Sequence, residues 1–189
     1  RPFGERVLRW ATAAVLADQY PQSGGRPVDG VISADPVALA GFLRLLGPIE
    51  VAGWPEALTS ENVAEVLLYR AYIDVGGSSP ERVALLAAVT QKAWERFGQI
   101  PAPSPGAVAD ALGPAIDRRH LQLWMRDADE QALMLSSSLA GAVPPIAGDG
   151  LGIVVNNASE SKIEWYLHRT IDADIVVDPA SGRVQSVVS

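Results

Sequence analysis

A chain of 189 residues with a net charge of −7, 48% hydrophobic and 20% charged, reads as an ordinary globule long enough to bury its own core. It has no cysteine, which excludes disulfides, thiolate metal sites and a cysteine nucleophile, and two histidines, His120 and His168, are too few for a multi-histidine metal cage. The acidic balance, with a pI near 4.8, argues against a non-specific nucleic-acid binder.

No apolar run reaches membrane-spanning length and no signal peptide is visible. The chain opens on Arg1-Pro2 and ends on Val187-Val188-Ser189 within a strand-like pattern. The expectation is therefore a single domain, residues 1–189, excised from a longer protein and truncated at both ends, with any targeting segment upstream.

From Arg6 to Tyr20, Val7, Leu8, Ala11, Ala14, Val15 and Ala17 form one broad apolar face, which predicts an amphipathic helix. A loop over residues 22–27 leads into the stretch that organises the chain. Val28, Val31 and Ile32 predict a short strand. Asp35 is a good N-cap with Pro36 in the first helical position, and Leu39, Phe42, Leu43 and Leu46 recur at helical spacing. Gly47-Pro48 stops the helix with a left-handed residue and a breaker, and Ile49 and Val51 start a second extended run. This α/β unit is expected to form the centre of the sheet.

Thr59 or Ser60 can cap a following helix, with Val63, Val66, Leu67 and Ala71 on its apolar face and an end near Tyr72. After a glycine-rich connection, Ser79-Pro80-Glu81 opens a helix whose stripe is Val83, Leu86, Thr90, Ala93, Trp94 and Phe97, stopped by Gly98. Residues 101–105 read as a linker and residues 108–119 as a helix kinked at Gly113-Pro114. Leu121 to Met125 is a strand candidate, and Asp127 caps a helix carrying Ala132, Leu133, Leu135 and Leu139. Residues 153–155 predict a strand, 156–162 a polar turn and 163–177 a long extended arm. Asp178-Pro179-Ala180-Ser181-Gly182 is a hairpin turn, with Arg183 to Val188 returning. The fold class is α/β: a mixed central sheet flanked by helices, with a C-terminal antiparallel hairpin extension.

Three constellations could carry chemistry. Arg70 and Asp74 are four apart and share a helix face. Arg82 falls in the first turn of the next helix, where a cation is slightly unfavourable and an anionic partner would account for it. Two arginines and an aspartate around a glycine-rich loop could grip a phosphate or pyrophosphate, with Asp74 near a divalent cation such as magnesium. The same residues also read as a surface ion pair and a solvated Arg82, since exposed pairs are common and weak. Asn156, Asn157 and Lys162 read first as a turn at a strand end, and second as a polar cradle with Lys162 as a point charge for an anion. Asp172, Asp174 and Asp178 suit calcium by spacing, but strand edges carry such charges against aggregation, and that reading is preferred. His120 and His168 show no partner in the sequence and read as ordinary. Neither a nucleophile elbow, a P-loop nor a dinucleotide fingerprint is present.

Taken in order, several of these segments resemble a known family. Asp29-Gly30-Val31-Ile32, Asp35-Pro36-Val37-Ala38-Leu39, Gly47-Pro48-Ile49 and Leu58-Thr59-Ser60-Glu61-Asn62-Val63 are similar to domain-of-unknown-function family 4012, an uncharacterised bacterial family. Arg82 with Leu85-Leu86-Ala87-Ala88-Val89, Gly141-Ala142-Val143 and residues 156–162 extend the likeness. A second, fainter resemblance is to the LytR–CpsA–Psr family, whose members attach glycopolymers to the cell wall from a polyprenyl-pyrophosphate donor. Leu46-Gly47-Pro48, Leu58-Thr59-Ser60-Glu61, Arg70, Asp74 and Arg82 echo its order, with Pro48 where that family has a second glycine.

The resemblances imply a LytR–CpsA–Psr-like fold in an extracytoplasmic domain of the cell envelope, reaching the membrane only through an anchor outside this chain. It would bind or scaffold a cell-wall polymer or a polyprenyl-phosphate lipid, with no certain cofactor. The alternative they imply is a glycopolymer phosphotransferase in which Arg70 and Arg82 clamp phosphates.

Overall fold

The computed structural model describes residues 6–75, 80–141 and 170–189, and falls into two units, residues 1–152 and 153–189. In the first unit, α1 (Arg6–Gln19) passes through a 3₁₀ turn (Tyr20–Ser23) to β1 (Gly30–Ala34) and α2 (Pro36–Leu46). The next helix is continuous but not uniform. It is α-helical over Val63–Glu65 (α3), π-helical over Val66–Arg70, and α-helical again over Ala71–Asp74 (α4). Then follow α5 (Pro80–Phe97), α6 (Pro105–Asp117), β2 (Leu121–Met125), α7 (Ala128–Ser136) and a 3₁₀ turn (Ser138–Ala140). The second unit holds β3 (Ala173–Val177) and β4 (Val184–Val188). No helix among the described residues is long and apolar enough to cross a membrane.

The organising stretch behaves as its chemistry dictates at both ends of α2. Asp35 Oδ1 accepts from Val37 N at 2.9 Å and Ala38 N at 3.0 Å, satisfying two of the helix's unpaired amides. Gly47 ends the helix at φ 77°, ψ 179°, a backbone geometry essentially confined to glycine, with its N–H on Leu43 O at 2.9 Å. One side of α2 sends Leu43 and Leu46 into a core shared with Ile49, Leu58, Val63, Val66, Leu85 and Val89. Its other side places Ala38 in a second core with Ala111, Leu112, Ala115 and Leu121 of α6 and β2.

The expected central sheet is smaller than predicted. β1 pairs with β2 in an antiparallel two-stranded sheet, Gly30 opposite Met125 through Ala34 opposite Leu121. Ile49 and Val51 are buried but form no strand. Ile49 makes one antiparallel bridge to Leu58, its N–H and C=O both bonded, at 3.0 and 2.8 Å. The run is short because Pro48 offers no amide and Gly53 turns the chain at φ 85° two residues after Val51.

Helix starts were more legible than helix faces. Thr59 and Asn62 close a reciprocal cap: Thr59 Oγ1 accepts from Asn62 N at 3.4 Å, and Asn62 Oδ1 from Thr59 N at 2.8 Å. Val63, Val66, Leu67 and Ala71 are all buried, as their spacing predicts. Ser104 caps α6 through Ala107 N at 3.2 Å, so that helix begins at Pro105, three residues earlier than expected, and runs through Pro114. On α5 the buried line is Leu85 and Val89, with Leu86 and Ala93 partly buried. Val83, Trp94 and Phe97 of the predicted stripe are exposed. The rotation follows from docking: Arg96 Nε, further along the same line, donates to Leu46 O at 3.0 Å at the end of α2, and Trp94 stacks on Phe97 instead. Leu133 and Leu135 of α7 are exposed too, and Leu139 falls in the 3₁₀ turn beyond it.

In the second unit the hairpin forms as predicted, with Ala173 opposite Val188 and Val177 opposite Val184. Asp178 makes the turn: its carboxylate accepts from Ser181 Oγ and, at 2.9 Å, from Ala180 N, and Gly182 follows at φ 68°. The strand at 153–155, the turn at 156–162 and the first part of the long arm, residues 163–169, lie outside the described residues.

Two measurements test these packing and turn assignments. The backbone of α6 passes so close to α2 that a Cβ on Gly41 would meet Ala111 O at 2.7 Å, whereas one on Gly106 meets nothing. Gly41→Ala is expected to lose about 1–3 kcal/mol in urea unfolding despite its better helix propensity. Gly106→Ala should gain up to about 1 kcal/mol. For the hairpin, the Ser181 hydroxyl and the Ala180 amide hold the Asp178 carboxyl below the usual carboxylate range. The ionised form stabilises the turn, so that contribution is present above the ordinary aspartate value and is lost as pH falls through the lowered one. An NMR titration should show a depressed Asp178 midpoint with the Ala180 amide moving in the same step; an unshifted midpoint would contradict it.

Candidate functional site

Three places concentrate polar chemistry among the described residues. The first is the predicted Arg70 cluster. The π-helical turn shifts the helix register at Arg70, and single π turns are frequent where a side chain must be re-aimed. Arg70 pairs with Glu56 on the preceding loop, and its Nε lies 3.9 Å from Asp74 Oδ2. Its guanidinium also sits over the buried Trp54 ring, 5.3 Å from the centroid. Trp54 Nε1 has no hydrogen-bond partner among the described residues. Glu56, with a smaller contribution from Asp74, raises the Arg70 pKa further above its already high value, so this cation is permanent.

Arg82 lies against Tyr72. Its guanidinium lies 4.2 Å from the Tyr72 centroid, and Tyr72 is two residues along from Arg70, on a different side of the helix. The structure thus brings Arg70 and Asp74 together and gives Arg82 a separate aromatic partner. Asn156, Asn157 and Lys162 lie outside the described residues. No group of three or more His, Asp or Glu side chains positioned to hold a metal ion occurs among those described.

The second place is one the sequence reading missed. Asp35 uses its other oxygen, Oδ2, to bind His120 Nδ1 at 2.6 Å, and its backbone N–H donates to His120 O at 3.2 Å. An ionised carboxylate only accepts, so Nδ1 carries the proton and Nε2 is turned away from the pair. His120 is delivered by the end of α6. His120 N donates to Ala115 O at 2.8 Å and Arg119 N to Ile116 O at 2.9 Å, a Schellman turn with Arg119 in the left-handed position at φ 62°. An arginine where glycine is usual hides this turn from a composition-based reading, and 85 residues of chain separate the two partners.

The third place is a cleft of about 270 Å³ between α1 and the β1–β2 sheet. Residues 31 and 33 share one face of the sheet with their cross-strand partners 124 and 122. That face therefore carries Val31 with Trp124, then Ser33 with Gln122. Thr12 and Leu16 of α1 form the opposite wall. Arg126 braces the cleft: its Nη2 reaches Asp18 of α1 at 2.8 Å while its guanidinium lies 5.7 Å from the Trp124 ring. A further, more open cavity of about 400 Å³ lies beside Pro48 and Glu50, with Lys92, Glu95 and Arg96 on its rim.

Asp35→Ala removes both the cap of α2 and the partner of His120, and is expected to cost about 1–2 kcal/mol in denaturant unfolding. Asp35→Asn, itself a good cap, should recover most of that loss. Equal losses in the two variants would assign the effect to His120, and no loss in either would remove Asp35 from this role.

Comparison with known protein families gives a match over the N-terminal part of the chain. The model of a family described as a protein of unknown function (DUF4012) matches residues 10–72, from α1 to Tyr72, about a third of the chain. The resemblance seen in the Asp29–Leu39 and Leu58–Val63 segments holds over this stretch. No curated protein matches, and no solved structure matches, so the LytR–CpsA–Psr likeness finds no support there.

Proposed function

We propose that this chain is an extracytoplasmic cell-envelope domain that binds or scaffolds a cell-wall polymer, rather than a phosphotransferase. The observation that carries the choice is the state of Arg70. A phosphate clamp needs an arginine fork open to the ligand, and here the fork is shared between Glu56 and Asp74 and backed by Trp54. Displacing two carboxylates to admit a phosphate would exchange one anion for another with no net electrostatic gain. Asp74, already facing Arg70, is a poor first ligand for magnesium for the same reason. The total lack of cysteine suits an exported protein that avoids stray thiols.

The reading is tested by co-sedimentation of the 189-residue chain with isolated cell-wall polymer, alongside thermal shifts with a polyprenyl phosphate and magnesium. Polymer binding is expected, and the Arg70→Ala/Arg82→Ala double variant should keep its affinity within about twofold. A thermal shift with the lipid phosphate and magnesium that is abolished in the double variant would overturn the proposal in favour of the phosphate-handling enzyme.

A further inference from the structure

From the cleft between α1 and the β1–β2 sheet we infer a binding site for one uncharged sugar ring of a glycan chain; it rests on the polymer-binding reading for the source of that ring. A pyranose presents two chemically different surfaces. Its faces carry axial C–H groups and are apolar, and its rim carries hydroxyls that both donate and accept. A matching site needs an aromatic or aliphatic floor and neutral polar groups at the edge. It needs no charge, because a charged lining would bind water and counter-ions more strongly than hydroxyls.

The cleft has that composition. Trp124, Val31 and Leu16 supply the apolar surface, and Thr12, Ser33 and Gln122 supply neutral hydroxyl and amide groups. None of the described residues lining it is charged, in a protein of net charge −7. One of its polar groups, the Gln122 amide, is also set in advance. Gln122 Nε2 donates to Arg119 O at 2.9 Å, and Gly141 runs so close that a Cβ there would lie 2.5 Å from Gln122 Cδ. These contacts hold the Gln122 amide in one orientation. The Arg126 guanidinium lies over Trp124, and its exposed salt bridge runs from that strand end to Asp18 of α1.

The test is an amide-shift titration of the whole chain with chitotriose and maltotriose as neutral probes, and with oligogalacturonate as a charged one. A neutral probe should bind weakly, with a Kd near the millimolar range. The perturbed amides should centre on Val31, Ser33, Gln122 and Trp124. Ser33→Ala, at an exposed position that should not disturb folding, is expected to weaken binding about threefold to tenfold. Trp124→Ala should abolish it and Trp124→Phe retain most of it. If Trp124→Ala fails to fold, the Ser33 variant and the shift map decide alone. Shifts centred elsewhere, a preference for the charged probe, or an unchanged Kd in Ser33→Ala would each overturn the site. If the wall polymer still co-sediments in that case, the site is wrong and the polymer-binding reading stands. If the polymer does not bind either, the broader reading has failed.

Discussion

The carboxylate of Asp35 is where the first unit is tied together. One oxygen satisfies the first turn of α2, the other holds His120, and the residue's own amide donates to the His120 carbonyl. Three elements meet at this side chain: the end of β1 and the start of α2, which flank it, and the start of β2, 85 residues away. Each interaction is modest alone, on the order of 1 kcal/mol. Their value lies in being shared. Fixing Asp35 for the cap fixes the acceptor for His120, and fixing His120 sets the register of the β1–β2 ladder, in which a slip of one residue would send Leu121 to the wrong face.

From that junction the rest of the unit follows. The sheet has two strands and two faces, and Leu121 turns one face towards Ala38 of α2 and the small residues Ala111 and Ala115 of α6. Small residues and Gly41 let those two helices approach closely around Leu121, while Ile32 on the same face of the sheet stays exposed. Against the other face lies α1, which offers the short side chains of Thr12 and Ala13 beside Leu16. Where these short side chains face the narrow sheet, the two layers leave a cleft between them. The cleft is thus a consequence of layer packing, and it requires no special loop.

How much of this could be read from the residues depends on how local the cause was. Helix starts were legible because a cap is decided within four residues: Asp35, Asp127 and, of the two candidates Thr59 and Ser60, Thr59 act as expected, and Asn62 adds a return bond to the Thr59 amide. The hairpin at Asp178 was legible for the same reason. Faces were less so. On α5 the choice between Leu85-Val89 and Val83-Trp94 was settled by where Arg96 meets Leu46, a contact 50 residues apart. Strand pairing was hardest, since nothing near Ile32 announces that its partner is Leu123 rather than the nearby Val51. Of the site residues, Arg70 with Asp74 was visible through its spacing. Its ties to Glu56 and Trp54 were not, because they depend on the loop folding back. His120 looked ordinary because its turn residue is Arg119, where glycine would have marked the bend.

Electrostatics decides which of the polar places can bind what. An acidic protein repels anionic ligands at long range, so a phosphate site would need a local cationic surplus large enough to invert that field. Among the described residues, neither the Arg70 cluster nor the cleft beneath α1 carries such a surplus. Arg70 is offset by Glu56 and Asp74, and Arg126 by Asp18; Arg96 is spent on the carbonyl end of α2, where a cation complements the helix dipole. A ligand held by apolar contact and neutral hydrogen bonds escapes this constraint, because the protein's net charge neither attracts nor repels it. Weak binding per ring is then sufficient, since a polymer with many identical units raises the local concentration of the next ring as soon as one is seated. A shallow, charge-free cleft would be a poor site for a small soluble metabolite, and it is a physically adequate one for a repeating glycan.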